Sequence, residues 1–109
     1  MTDAVKDWVD VASVDEFDTT DRKLLSLDET TQVGLFKVGD TFRAVSAWCS
    51  HQRMSLMEGP VDADAGEIMC PFHGARFDLA TGKQLSLPAM RPIPVYEVKV
   101  EEGRIYLRS

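Results

Sequence analysis

Apolar and β-branched residues fall in short runs broken by turn residues every eight to twelve positions, the rhythm of an antiparallel all-β domain. Trp8-Val9-Asp10-Val11 alternates and predicts a first strand, and Lys23-Leu24-Leu25-Ser26-Leu27 a second. Gln32–Val38 and Thr41–Val45 flank Gly39-Asp40, a dipeptide suited to a two-residue hairpin turn. Val95–Val100 and Arg104–Leu107 flank Glu101-Glu102-Gly103 and predict another hairpin. Only Val14 to Phe17 reads as briefly helical. The expected frame is two or three small sheets with no internal repeat and no linker, and Trp8 and Trp48 are expected in its core.

Between the hairpins the pattern changes. Residues 49–94 hold both cysteines, both histidines, all five prolines and four of the five methionines. Prolines interrupt ladder pairing, so this stretch is expected to form shaped loops on a rigid β-frame, the usual setting of a functional site. The chain of 109 residues fits one domain, 1–109, with this loop-rich subdomain at approximately 47–92 inserted in the frame.

Composition is that of an ordinary globular protein, 44% apolar and 28% charged. Twelve Lys and Arg against eighteen Asp and Glu give a net charge of −6, which argues against nucleic acid as a partner. The whole excess lies in residues 1–30, where nine acids face Lys6, Arg22 and Lys23; residues 31–109 carry nine of each sign. Such an end either keeps the protein in solution or steers docking onto a basic partner. The longest stretch without charge, Ala44 to Gln52, is far short of a membrane span, and the N-terminus lacks a secretory pattern. No membrane association and a cytoplasmic location are expected.

Cys49-Ser50-His51 and Cys70-Pro71-Phe72-His73 use every Cys and His in the chain, eighteen residues apart. Three arrangements compete. A Cys₂His₂ zinc site has the ligand count, but zinc fingers pair two Cys in one segment and two His in another. A Cys49–Cys70 disulfide would leave both histidines unexplained and need an oxidising compartment. A [2Fe–2S] cluster held by two Cys on one iron and two His on the other, the Rieske arrangement, uses all four. In that reading Gly66–Met69 is the strand delivering Cys70, and Glu58-Gly59-Pro60 the turn that reverses the chain.

Cys49-Ser50-His51 with Cys70-Pro71-Phe72-His73-Gly74 resembles the signature of Rieske ferredoxins. Ala75-Arg76-Phe77-Asp78, Thr81-Gly82 and Leu87-Pro88-Ala89-Met90 resemble the segments C-terminal to the second ligand loop in that family, the last being its proline loop over the cluster. The resemblance extends through the N-terminal strand and the C-terminal hairpin, hence over essentially the whole chain. It implies a Rieske-like fold of small antiparallel sheets carrying one [2Fe–2S] cluster. Cys49 and Cys70 would hold the buried iron, and His51 and His73 the iron nearer solvent. The implied role is a one-electron carrier, not an enzyme, working as a monomer between an NAD(P)H-dependent flavoprotein reductase and a terminal ring-hydroxylating oxygenase. A small subunit of an NAD(P)H-dependent nitrite reductase and a zinc-stapled interaction module are the alternatives.

High-potential members of the family carry a cysteine in each loop, joined in a disulfide, where this chain has Met54 and Phe72. They also carry a serine and a tyrosine that donate to cluster sulfurs, at the places of Ala75 and Phe77. Fewer donors stabilise the reduced cluster less, so a potential near the low end of the Rieske range, roughly −150 mV, is expected. Met54 and Met57 are expected to fill gaps beside the cluster, and Arg53 and Arg76 either flank its face or pair with nearby acids. The acidic run Glu58, Asp62, Asp64 and Glu67 reads as a solvated turn, its oxygens too sparse for a calcium loop.

Overall fold

A computed structural model describes residues 8–27, 31–48, 55–71, 74–85 and 92–108. Its strands are β1 (Val9–Ser13), β2 (Arg22–Ser26), β3 (Gln32–Val38), β4 (Thr41–Ser46), β5 (Val61–Asp62), β6 (Glu67–Met69), β7 (Arg76–Asp78), β8 (Val95–Glu101) and β9 (Arg104–Arg108). Six of them form an antiparallel sheet in the order β1-β9-β8-β4-β3-β2, and three a smaller one, β5-β6-β7.

The large sheet is two hairpin-built halves joined where β4 meets β8, at Ala44↔Tyr96 and Val45↔Val95. It curls, because Ala12 of one edge strand and Leu25 of the other share one buried cluster with Val33, Leu35, Ala44, Ile105 and Leu107. Lys23 reaches from β2 to the Val11 carbonyl of β1 (3.5 Å) and to Glu16 (2.5 Å), bridging the two edges. Phe17 closes the same cluster, edge-to-face against Phe42 at 5.1 Å. It sits on a 3-10 turn, Val14–Phe17, started by a reciprocal cap: Ser13 accepts from Asp15 N–H while Glu16 accepts from Ser13 N–H.

β3 explains the two-core construction. Its side chains alternate in direction, so Val33 and Leu35 enter the curl of the large sheet while Phe36 and Val38 point the other way. The second face meets the small sheet: Phe36, Val38 and Val45 pack with Leu56, Ile68, Cys70, Ala75, Phe77, Leu79 and Ile93. A strand covered on both sides has to be apolar where it is buried, and residues 33–36 of β3 are.

Both expected hairpins are present. The first turns at Gly39-Asp40 between Val38 and Thr41. In the second, Glu101 pairs with Arg104, so the turn is Glu102-Gly103 alone, both with positive φ. That is the type I′ pattern, whose twist matches the flanking strands. The tryptophans depart from expectation, since both are half-buried and outside either core. Trp8 lies against the cations of Lys99 (4.8 Å) and Arg108 (4.3 Å), an arrangement that needs one ring face near the surface.

Candidate cluster-binding site

Of the four candidate ligands the structure describes Cys70; Cys49, His51 and His73 lie outside the described residues, as do Arg53, Met54, Phe72 and Leu87–Met90. Cys70 follows β6 directly, as the reading of Gly66–Met69 expected, although the strand begins at Glu67. Its thiol is fully buried, makes no disulfide, and is packed in the second core.

Described residues flanking 49–54, 72–73 and 86–91 enter this core, and on either side of each stretch the backbone is tied down. Around 49–54, Trp48 pairs with Ser55 and Leu56 N–H donates to Ala47 O (2.7 Å). Around 72–73, Cys70 N–H donates to Ala75 O (2.7 Å) and Gly74 N–H donates to Cys70 O (3.0 Å). Around 86–91, Leu85 N–H donates to Arg76 O (2.7 Å) and Ile93 N–H donates to Gly82 O (2.8 Å). Leu56, Ala75 and Ile93, one from beyond each segment, all share the buried cluster with Cys70. Two close backbone approaches tighten the arrangement: a Cβ on Gly59 would stand 2.1 Å from the Met69 carbonyl oxygen, and one on Gly82 2.1 Å from that of Ile93. Glycine is required at both.

This donor set suits a soft metal centre. A thiolate is a strong ligand for iron or zinc, and an apolar surround keeps water from competing for it. Ala75 and Phe77 are fully buried and offer no side-chain donor. Among the described residues no three His, Cys, Asp or Glu side chains come together as a separate metal site. The acidic run is spent locally: Asp62 accepts from the N–H groups of Asp64 and Ala65, and Glu67 pairs with Arg76 at 3.1 Å. Met57 packs against the second core as expected. The residue that sequence reasoning misses is Arg22, which reads there only as one of the few bases of an acidic end; its guanidinium grips the Met57 and Gly59 carbonyls.

The fold is an all-β frame in which described residues flanking three stretches of chain share one buried core with a free thiol. The model of the Rieske [2Fe-2S] domain matches residues 7–97, and the chain belongs to that family. It carries one [2Fe–2S] cluster and serves as an electron carrier that is not itself a catalyst. The ferredoxin subunit of 3-phenylpropionate/cinnamic acid dioxygenase from Escherichia coli (strain K12) is 41% identical over 90 residues, 83% of this chain and 84% of that protein. The solved ferredoxin of carbazole 1,9a-dioxygenase from Nocardioides aromaticivorans IC177 superposes with a TM-score of 0.84 at 32% identity, over 92% and 95% of the two chains. A chain in the solved complex of reduced oxygenase and oxidized ferredoxin in carbazole 1,9a-dioxygenase gives 0.85 at 32% identity, over 94% of each. Among the described residues no helix is long and apolar enough to cross a membrane.

Proposed function

We propose that this chain passes single electrons from an NAD(P)H-dependent flavoprotein reductase to a terminal ring-hydroxylating oxygenase, and that Cys49, His51, Cys70 and His73 hold the cluster through which it does so. The observation that carries the reading is the buried free thiol of Cys70, packed in one core with Leu56, Ala75 and Ile93. The bound cluster supplies reversible one-electron chemistry without an open coordination position. The chain's own part is to exclude water from the thiolate side and hold the loop ends in one arrangement in both redox states. The dioxygenase ferredoxin relatives, and the carbazole ferredoxin solved with its oxygenase, support an oxygenase as acceptor and favour this reading over a nitrite reductase subunit.

The test is metal content with EPR of the anaerobically purified, dithionite-reduced protein. Two irons per chain and a rhombic signal at lower average g than all-cysteine clusters is the expected result, lost in Cys70→Ala. A colourless protein with stoichiometric zinc, or full iron in Cys70→Ala, overturns the assignment. Sedimentation of the loaded protein at one chain per particle is expected from the monomer reading.

A further inference from the structure

We propose that Arg22 is a positioning residue for the cluster: its guanidinium clamps the turn that links the two ligand segments, and so sets their spacing. The proposal rests on the cluster reading above. Arg22 Nη1 donates to the carbonyls of Met57 (2.9 Å) and Gly59 (2.6 Å). Nε and Nη2 donate to the two carboxylate oxygens of Asp21 (2.8 and 3.2 Å), and the guanidinium carbon stands 5.3 Å from the centre of the Phe36 ring. The side chain is 22% exposed and all its hydrogen-bonding atoms are engaged.

The gripped turn touches both ligand segments. On one side Leu56 is bonded to Ala47, two residues before Cys49. On the other, Gly59 lies in direct backbone contact with Met69, and Met69 N–H donates to Pro60 O (3.1 Å); the next residue is Cys70. Met57 is keyed to the frame as well, its sulfur 2.8 Å from where a Cβ on Gly34 would be. Thus one cation of β2 fixes, relative to the large sheet, the link through which any shift of one ligand segment would reach the other. The task suits arginine, whose planar fork can serve carbonyls and a carboxylate at once while stacking on an aromatic ring; lysine offers a compact point charge.

Wild type, Arg22→Lys, Arg22→Met and Lys23→Met are compared as cluster-loaded proteins. Lys23 neighbours Arg22 but spends its charge on Glu16 and Val11. An iron chelator is added without oxygen and the visible absorbance followed; far-UV CD, reduced-state EPR and midpoint potential are recorded in parallel. Leaving part-buried carbonyls without their donor predicts about tenfold faster cluster loss in Arg22→Met. Its EPR lines should broaden and its midpoint shift, with far-UV CD unchanged. Arg22→Lys should fall between, and Lys23→Met should match wild type. Wild-type loss rate, line width and midpoint in Arg22→Met overturn the proposal, as does equal acceleration in Lys23→Met. If Arg22→Met does not fold, Arg22→Lys decides, and its identity with wild type overturns the clamp. A wild type without iron or the rhombic signal removes the cluster reading itself, before any variant is compared.

Discussion

Gly82→Ala probes how tightly the described end of the third segment is held. Gly82 has φ +76, and a Cβ there would stand 2.1 Å from Ile93 O and 2.8 Å from a Val95 γ-methyl. Ordinary contact begins at 3.4 Å, so the Ile93 carbonyl would have to retreat about 1.3 Å. It cannot do so freely, because Ile93 N–H is bonded to Gly82 O at 2.8 Å and the Ile93 side chain is 3% exposed in the core that holds Cys70. Two costs add: about 1 kcal/mol for a left-handed non-glycine residue and about 2 kcal/mol for overpacking against backbone. The total is about 3 kcal/mol.

Gly66→Ala isolates the first cost, since Gly66 has φ +69 with nothing within 4 Å of where its Cβ would stand. It should cost about 1 kcal/mol. For a chain of 109 residues an unfolding entropy of about 0.23 kcal/mol/K converts these into losses of about 13 °C and about 4 °C in Tm. The assay is thermal unfolding of the anaerobic, cluster-loaded proteins by far-UV CD, with cluster absorbance followed alongside. Gly82→Ala should also bleach before it unfolds. If the two variants melt within about 2 °C of each other, the close contact does not hold the segment and the reasoning fails.

Phe77→Tyr restores a hydroxyl at the place where high-potential relatives donate to a cluster sulfur. One added hydrogen bond to the reduced cluster, worth about 1 kcal/mol, should raise the midpoint by about 40 mV from a starting value near −150 mV. A redox titration showing no rise would mean that Phe77 is not at that place. Acid should destabilise the fold through Glu16 and Asp21, whose carboxyls are held below their ordinary values of 4.5 and 3.8 by hydrogen bonds from Lys23 and Arg22 respectively. Because the folded values are the lower ones, this stabilisation is complete above the ordinary values and is lost as pH falls through the lowered ones. Melting temperature should therefore be level down to about pH 5 and fall below about pH 4, less steeply in Asp21→Asn; an unchanged slope in that variant would contradict the assignment. Electron transfer to a basic partner should slow as ionic strength rises, given the excess of acids in residues 1–30, and a rate that stays flat would remove the electrostatic account of docking.

The elements legible in the sequence are those whose signals are local. The β3–β4 hairpin announces itself by apolar runs around Gly39-Asp40, and the 3-10 turn by the briefly helical run Val14 to Phe17. The candidate ligand set stands out in the sequence because two short motifs use every cysteine and histidine, and of the four only Cys70 lies among the described residues. β5 and β7 leave no strand signal, since two and three residues give too little alternation to register. The joining of two half-sheets through Val45↔Val95 is also hidden, being a pairing across fifty positions. Arg22 is hidden for the same reason: its carbonyl partners lie 35 and 37 positions away, and backbone atoms leave no mark on a sequence. Trp8 escapes the core because neighbouring strands bring cations to its ring, which apolar bulk alone does not foretell.

Placing ligands on loops normally trades precision for adaptability, and an electron carrier needs precision, because any rearrangement between redox states slows transfer. Among the described residues the architecture answers this by tying down the chain on either side of the candidate ligand segments. On both sides of each segment a described residue at or next to the end bonds backbone to backbone, and those bonds survive most side-chain substitutions. The ends then share one buried core with Cys70, so moving one segment disturbs packing around the thiol and is resisted there. That core is in turn set by β3, which cannot shift without also disturbing the interior of the large sheet. Rigidity thus reaches the site by apolar contact through β3 and by polar contact through Arg22, two routes that meet where Arg22 stacks on Phe36. Single substitutions on either route should therefore loosen the cluster before they unfold the frame.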